Sequence, residues 1–391
     1  MKEVIYISLF LAAPIFGFGQ NLAGLLENVE QNNPRLMALQ KWLEAEEVRA
    51  NTGIYPDNPE VSYDYLFGNS EAIGDQQEFE IKQSFKLPGY YSSKSELQQL
   101  QFEQKKALVQ KEKLAIIHAA RSAYFELVWL VKKEKLLETR KTESEKLVEL
   151  MKQGFDGGEI SKPVYDKVRI FNINVQSEWQ KTVSDIAIQK EQIKQLSGGM
   201  PVDNLVLEYP LNWSLLSIDS LLARLPRQNP DLIMAQLGID EYGMQVKHEK
   251  MNQLPSFEAG YRSEKILNQK LQGIHAGVEI PLWKDKNRLK TAKIQSEWSQ
   301  ANLLQKESEL RTEVISRYNE IQNLHNTYLQ MKTIAEDEKV SESSLQLLHS
   351  GQISFPEYLV EVQFVWDAKQ AFLETEKNYF KAVARLKQLF L

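Results

Sequence analysis

Four stretches of the chain contain neither glycine nor proline: residues 90–153, 164–197, 282–350 and 357–391, runs of 64, 34, 69 and 35 residues. An α-helix rises 1.5 Å per residue, so the longer runs would reach roughly 90–100 Å as helices, far beyond the usual globular helix. A helix of that length needs a partner along its flank, and the seam for one is visible. Val314, Ile321, Tyr328 and Ala335 recur every seven residues, with Leu310, Leu324 and Met331 on the interleaved row and Arg317 interrupting it. Leu100, Ala107 and Leu114 form one row of the first half, and Ile117, Tyr124 and Val131 another. The fold expected is mainly α, built on long antiparallel coiled-coil helices, with a small β part.

The two halves carry the same junctions. Asn33-Pro34-Arg35-Leu36 matches Asn229-Pro230-Asp231-Leu232 at an offset of 196, each opening a helix with proline in its first turn. At the same offset Gln83-Ser84-Phe85-Lys86-Leu87-Pro88 meets Glu279-Ile280-Pro281-Leu282-Trp283-Lys284, each where a strand pattern gives way to a long helix. Gly158-Glu159-Ile160-Ser161-Lys162-Pro163-Val164-Tyr165 matches Gly351-Gln352-Ile353-Ser354-Phe355-Pro356-Glu357-Tyr358 at an offset of 193. The chain is a duplicated unit.

Each copy also holds two alternating segments. Val61, Tyr63, Tyr65 and Phe67 alternate with Ser62 and Asp64, and Phe79, Ile81 and Phe85 with Glu80, Lys82 and Ser84. In the second copy Phe257, Ala259 and Tyr261 alternate with Glu258, Gly260 and Arg262, and Ile274, Ala276, Val278 and Ile280 with His275, Gly277 and Glu279. These are hairpins with one apolar and one polar face, and their tips are expected at Gly68–Asp75 and Glu264–Leu271. The first repeat is placed at 20–200, with a hairpin at about 59–86 and long helices at about 91–152 and 161–197. A linker with a short helix occupies 201–227, and the second repeat 228–391, with a hairpin at about 255–282 and long helices at about 286–350 and 355–390.

Residues 1–19 read as a cleaved signal peptide: an apolar stretch Val4–Phe16, then Gly17-Phe18-Gly19 with small residues at positions −3 and −1 of a cut before Gln20. The chain has no cysteine, which excludes thiolate metal sites, thiol nucleophiles, disulfides and a lipidated N-terminal cysteine. Forty-seven basic against fifty-three acidic residues give a net charge of −6, which disfavours a nucleic-acid partner. No phosphate loop, dinucleotide fingerprint or nucleophile elbow is present. The five histidines, His118, His248, His275, His325 and His349, lie far apart, so no metal or cofactor is assigned and the chain is not read as an enzyme.

Four strands cannot close a barrel, because open edges are not tolerated in lipid and about eight strands is the practical minimum. An ordinary half-buried soluble sheet would show the same alternation, but export and the extra-long helices favour a membrane wall shared by several copies. On that reading Asp64, Glu80, Lys82, Glu258, His275 and Glu279 face the barrel lumen, and the alternating aromatic residues face lipid.

With the Asn-Pro helix openings, the Gln83–Gly89 passage and the two Gly-x-Ile-Ser-x-Pro-x-Tyr turns in this order, the chain resembles the TolC-type outer-membrane efflux channels over essentially its whole mature length. Phe85-Lys86-Leu87-Pro88-Gly89 is similar to the subgroup paired with heavy-metal exporters of the resistance-nodulation-division class. The resemblance implies a homotrimer whose twelve strands form one outer-membrane β-barrel, joined to a twelve-helix α-barrel across the periplasm. It implies a passive conduit in a tripartite efflux system, working with a periplasmic adaptor (membrane fusion) protein and an inner-membrane pump, and using no cofactor. Its closed end would lie at the turns Gly154–Pro163 and Ser350–Pro356, where Gln153, Asp156, Glu159, Gln352 and Glu357 are assigned to the periplasmic aperture or adaptor contacts. The family's gate pattern is only partly present: Ile353 stands where some members carry arginine, Val360 where an acid can stand, and Leu348 where an aromatic can. The outer-membrane component of a type I protein secretion system is the alternative. A secreted structural coiled-coil protein would explain the helices and the signal, but not strands at matching positions of both halves.

Overall fold

The computed structural model describes residues 21–390 apart from 71–72, 204, 211–215, 268, 284, 336–345, 349 and 351. The expected signal peptide, His349 and Gly351 lie outside the described residues. The helices are α1 Leu22–Asn32, α2 Pro34–Ala50, α3 Pro88–Asp156, α4 Lys162–Leu196, α5 Ile218–Gln228, α6 Pro230–Asn252, α7 Arg288–Ala335 and α8 Phe355–Lys387. The strands are β1 Glu60–Leu66, β2 Gln76–Phe85, β3 Ser256–Ile266 and β4 Gln269–Glu279.

The uninterrupted runs become helices of 69, 35, 48 and 33 residues for α3, α4, α7 and α8. The second long run is described as helix as far as Ala335, with 336–345 outside the described residues. The seam is buried at Leu310, Val314 and Ile321, whereas Tyr328 and Met331 are half-buried. Arg317, which interrupts that row, donates to the Arg385 carbonyl and pairs with Glu313. A polar residue is tolerated there because it meets a backbone acceptor near the end of α8.

The chain packs into two compact units, each drawing on both halves of the sequence. One comprises the described residues up to Pro34, Ile116–Ser214 and Ile321–Ala384. At its core Ala120, Ala123, Tyr124, Phe125, Leu127, Val128 and Leu130 are buried. Here α3 is apolar on more than one face, because it is packed on more than one side. Tyr209 stacks on Phe380 with ring centroids 4.4 Å apart, and the Tyr124 hydroxyl donates to the Val206 carbonyl at 2.5 Å and accepts from Glu208 N at 3.1 Å. By length and composition alone α3 contains a stretch able to cross a membrane, but these contacts make it a protein core.

The other unit comprises Arg35–Ala115, Leu215–Glu320 and Arg385–Leu391 and holds the sheet. Its four strands run in the order β1-β2-β3-β4, all antiparallel. The expected tip at Glu264–Leu271 is corrected. Glu264 and Leu271 pair across the ladder and the strands run on to Ile266 and Gln269, so only two positions separate them, with Leu267 in the left-handed region at φ 48°. Charged and polar side chains at Glu264, Lys265, Gln269 and Lys270 look like loop composition, but cross-strand pairing keeps them in the ladder.

The duplication extends to long-range contacts. Asn33 Nδ2 donates to the Leu196 carbonyl at 2.7 Å, and its counterpart Asn229 donates to the Leu389 carbonyl at 2.9 Å. The donors differ by 196 positions and the acceptors by 193, the same two offsets the sequence motifs show. Each asparagine is buried at a helix opening and ties it to the carbonyl end of its repeat's last long helix. Asn229 also accepts from Asp231 N and Leu232 N at 3.0 and 3.1 Å. Asn229→Ala therefore strands two amides and a carbonyl, and we expect a loss of about 2 kcal/mol, read as a lower denaturant midpoint with an unchanged m-value.

Candidate functional site

Strand register decides which side chains share a face. The row Val61, Ile81, Tyr261, Ile274 and the row Tyr63, Phe79 lie on one face, together with the neighbouring pair Phe85 and Phe257. Most of these apolar side chains are exposed, Ile274 at 90 %. Among the described residues nothing covers this face. The opposite face carries seven carboxylates, Glu60, Asp64, Glu78, Glu80, Glu258, Glu264 and Glu279, against Lys82 and Arg262. All six residues assigned to a lumen, Asp64, Glu80, Lys82, Glu258, His275 and Glu279, fall on this polar face.

Several of them pair across strands. Lys82 Nζ lies 3.3 Å from Glu60, and Glu258 accepts from Ser84 Oγ at 3.2 Å and sits 3.0 Å from His275 Nε2. Ser256 Oγ donates to Glu279 at 3.2 Å. Among the described residues no group of three or more histidines and carboxylates is arranged to hold a metal. The outer edges of β1 and β4 have no strand partner among the described residues.

The turn end belongs to the other unit. Leu147, Met151, Val168 and Tyr358 form a buried cluster, closed by Ile160, Tyr165 and Ile353. The Ile and Tyr positions of both turn motifs are thus packing residues. Gly158 takes φ +79° after α3, and the Ile160 side chain lies where a Cβ on Gly154 would project, which explains the glycines there.

The five aperture candidates sit in and beside the two turns. Asp156, Glu159 and Gln352 are exposed, and Gln153 reaches back to Glu149 at 3.3 Å. Glu357 accepts from Ser354 N and Ser354 Oγ, both at 2.7 Å, a capping box at the start of α8. The Ser-x-x-Glu signal for it is plain in the sequence. The matching position of the first turn is Val164, and Ser161 makes no side-chain cap bond. The Ser354 hydrogen bonds hold the Glu357 carboxyl below its usual range.

A buried polar junction where strands meet helices carries no signal in the sequence. Lys86 Nζ donates to Asn252 at 2.5 Å and lies 4.1 Å over the Tyr90 ring. His248 Nδ1 is 3.0 Å from the hydroxyl of buried Ser93. Arg288 reaches Asp285 at 2.8 Å and Glu249 at 3.3 Å, and both acids are buried. Burial, then the positive charges of Lys94, Lys86 and Arg288, push the His248 pKa down. The residues are scattered over α3, α6, α7 and the segments that join helices to the sheet, so no spacing reveals them.

Neither a sequence-family model nor a curated protein matches the chain. Solved structures do. The outer membrane channel CmeC of Campylobacter jejuni matches with TM-score 0.79 and 14 % identity over 94 % of this chain and 85 % of that one. A membrane protein from Pseudomonas aeruginosa matches with TM-score 0.81 and 12 % identity over 94 % and 93 %. The outer membrane protein VceC of Vibrio cholerae matches with TM-score 0.77 and 15 % identity over 94 % and 95 %. The chain has the fold of the TolC-like outer-membrane channels, as its motifs led us to expect.

Two outcomes follow for the junction. Arg288→Ala removes the half-exposed cation beside buried Glu249, and we expect a loss of about 1–2 kcal/mol in chemical denaturation. His248 is neutral in the folded chain and takes up a proton more readily when unfolded, so its stability contribution is full above its unfolded pKa of about 6.5 and falls as pH drops below it. His248→Gln should flatten the acid side of the stability profile below about pH 6.5.

Proposed function

We propose that the chain is the outer-membrane channel of a tripartite efflux system, a passive homotrimeric conduit without enzymatic activity. The observation that carries this is the four-stranded sheet, which among the described residues has two unpartnered edges, an uncovered apolar face and an acidic opposite face. In water such a sheet would expose apolar surface and two templates for aggregation. In a trimer, β1 of one chain pairs with β4 of the next, and twelve strands close one barrel. Each 11-residue strand of the second hairpin runs about 37 Å. Tilted by about 45° this spans roughly 26 Å, the height of the apolar band of an outer-membrane barrel.

In this reading the long helices form the periplasmic tunnel, which a periplasmic adaptor joins to an inner-membrane pump of the resistance-nodulation-division class. Residues 1–19 direct export. The repeat organisation read from the sequence gives each protomer two hairpins and two long helix pairs. The polar face lines the lumen through Asp64, Glu80, Lys82, Glu258, His275 and Glu279, and its excess of acids favours cations. Gln153, Asp156, Glu159, Gln352 and Glu357 contribute to the aperture or to adaptor contacts, and Glu357 in addition caps α8.

Detergent-extracted outer membranes should yield a heat-modifiable trimer that conducts in planar bilayers with cation preference; a detergent-free soluble monomer or dimer would refute the channel. Ile274→Arg puts a charge on the lipid side and should cost about 2–4 kcal/mol, seen as loss of trimer from the membrane, whereas Glu80→Arg should leave assembly intact and shift the reversal potential. Asp156→Ala with Glu357→Ala should change single-channel conductance, and an unchanged trace removes the aperture role from that pair.

A further inference from the structure

Among the described strand residues on the apolar face only two side chains are charged, and they face each other. Lys265 of β3 and Lys270 of β4 are direct cross-strand partners, both exposed, in the row of Tyr65 and Gln77 next to the hairpin turns. Like charges placed opposite one another destabilise a sheet unless an anion lies between them. Among the described residues no carboxylate forms an ion pair with either ammonium group. The seven strand carboxylates all belong to the other face, where Glu264 accepts from Gln76 at 2.7 Å. Asp75, in the loop of the first hairpin, is held by the Tyr65 hydroxyl at 2.6 Å and by Gly68 N at 3.1 Å. The next row adds Ser263 opposite Gln272.

We propose that Lys265 and Lys270 form a docking site for the phosphate groups of a phosphorylated glycolipid in the outer leaflet. This rests on the barrel reading given above. The helices leave from the strand ends opposite the turns, so the turns lie at the outer surface and the apolar face meets lipid. At that height two lysines with apolar stems project their ammonium groups to the headgroup level, where lipid phosphates lie. Three protomers carry three such sites around the barrel rim.

The test uses the full-length channel purified as a trimer in detergent. Binding is measured for bis-phosphorylated lipid A, for lipid A stripped of its phosphates, and for inorganic phosphate as competitor. The wild type should prefer the phosphorylated lipid. Lys265→Gln with Lys270→Gln should lose about fivefold for each lysine near an anionic surface, about 25-fold for both, with binding of the stripped lipid unchanged, and the double Arg variant should retain the preference. A double Gln variant that forms a conducting trimer and keeps the full preference overturns the site and leaves the channel reading standing. Displacement of the lipid by millimolar inorganic phosphate overturns the lipid assignment. Failure of the wild-type chain to form a trimer overturns the barrel, and the site falls with it.

Discussion

A β-sheet whose two outer edges have no partner, and whose apolar face has no cover, among the described residues is the constraint on which the rest depends. Backbone amides and carbonyls on the outer edges of β1 and β4 need hydrogen-bond partners, and in hydrocarbon only another strand can supply them. Four strands are too few to curl onto themselves. On the proposed channel reading the sheet is one segment of a larger wall, with its acidic face inside and its apolar face outside. The junction of Lys86, Asn252, His248, Glu249 and Arg288 stands where α6 leads into β3 and where β2 and β4 lead into α3 and α7.

The helical part answers a different constraint. Helices of 69 and 48 residues cannot be held by their own hydrogen bonds alone and need continuous side-chain packing. The seam of Leu310, Val314 and Ile321 provides it in one repeat, and the aromatic cluster of Phe125, Tyr209 and Phe380 thickens the core of the unit that holds the turns. The paired asparagines Asn33 and Asn229 show that the duplication preserves hydrogen-bond partners as well as sequence motifs.

Much of this is legible from spacing. Long runs without helix breakers, strict alternation in four segments, and motifs repeated at fixed offsets are local patterns, because 3.6- and 2-residue periods set which side chains share a face. The sharing of one face by Asp64, Glu80, Lys82, Glu258, His275 and Glu279 follows from alternation once register is known. The tip of the second hairpin reads as a loop, since composition alone does not distinguish polar ladder residues from turn residues, and pairing partners settle which they are. Glu357 reads toward an aperture, while its Ser354 capping bonds are the contact the fold makes.

The sequence by itself determined the element types, the duplication and the two-faced character of the strands, all of them patterns along the chain. Tertiary structure alone decided that the strands lie in the order β1-β2-β3-β4, that Lys265 opposes Lys270, and that the two asparagines bind carbonyls 163 and 160 residues away. These are relations between residues distant in sequence, and only the register between packed elements fixes them.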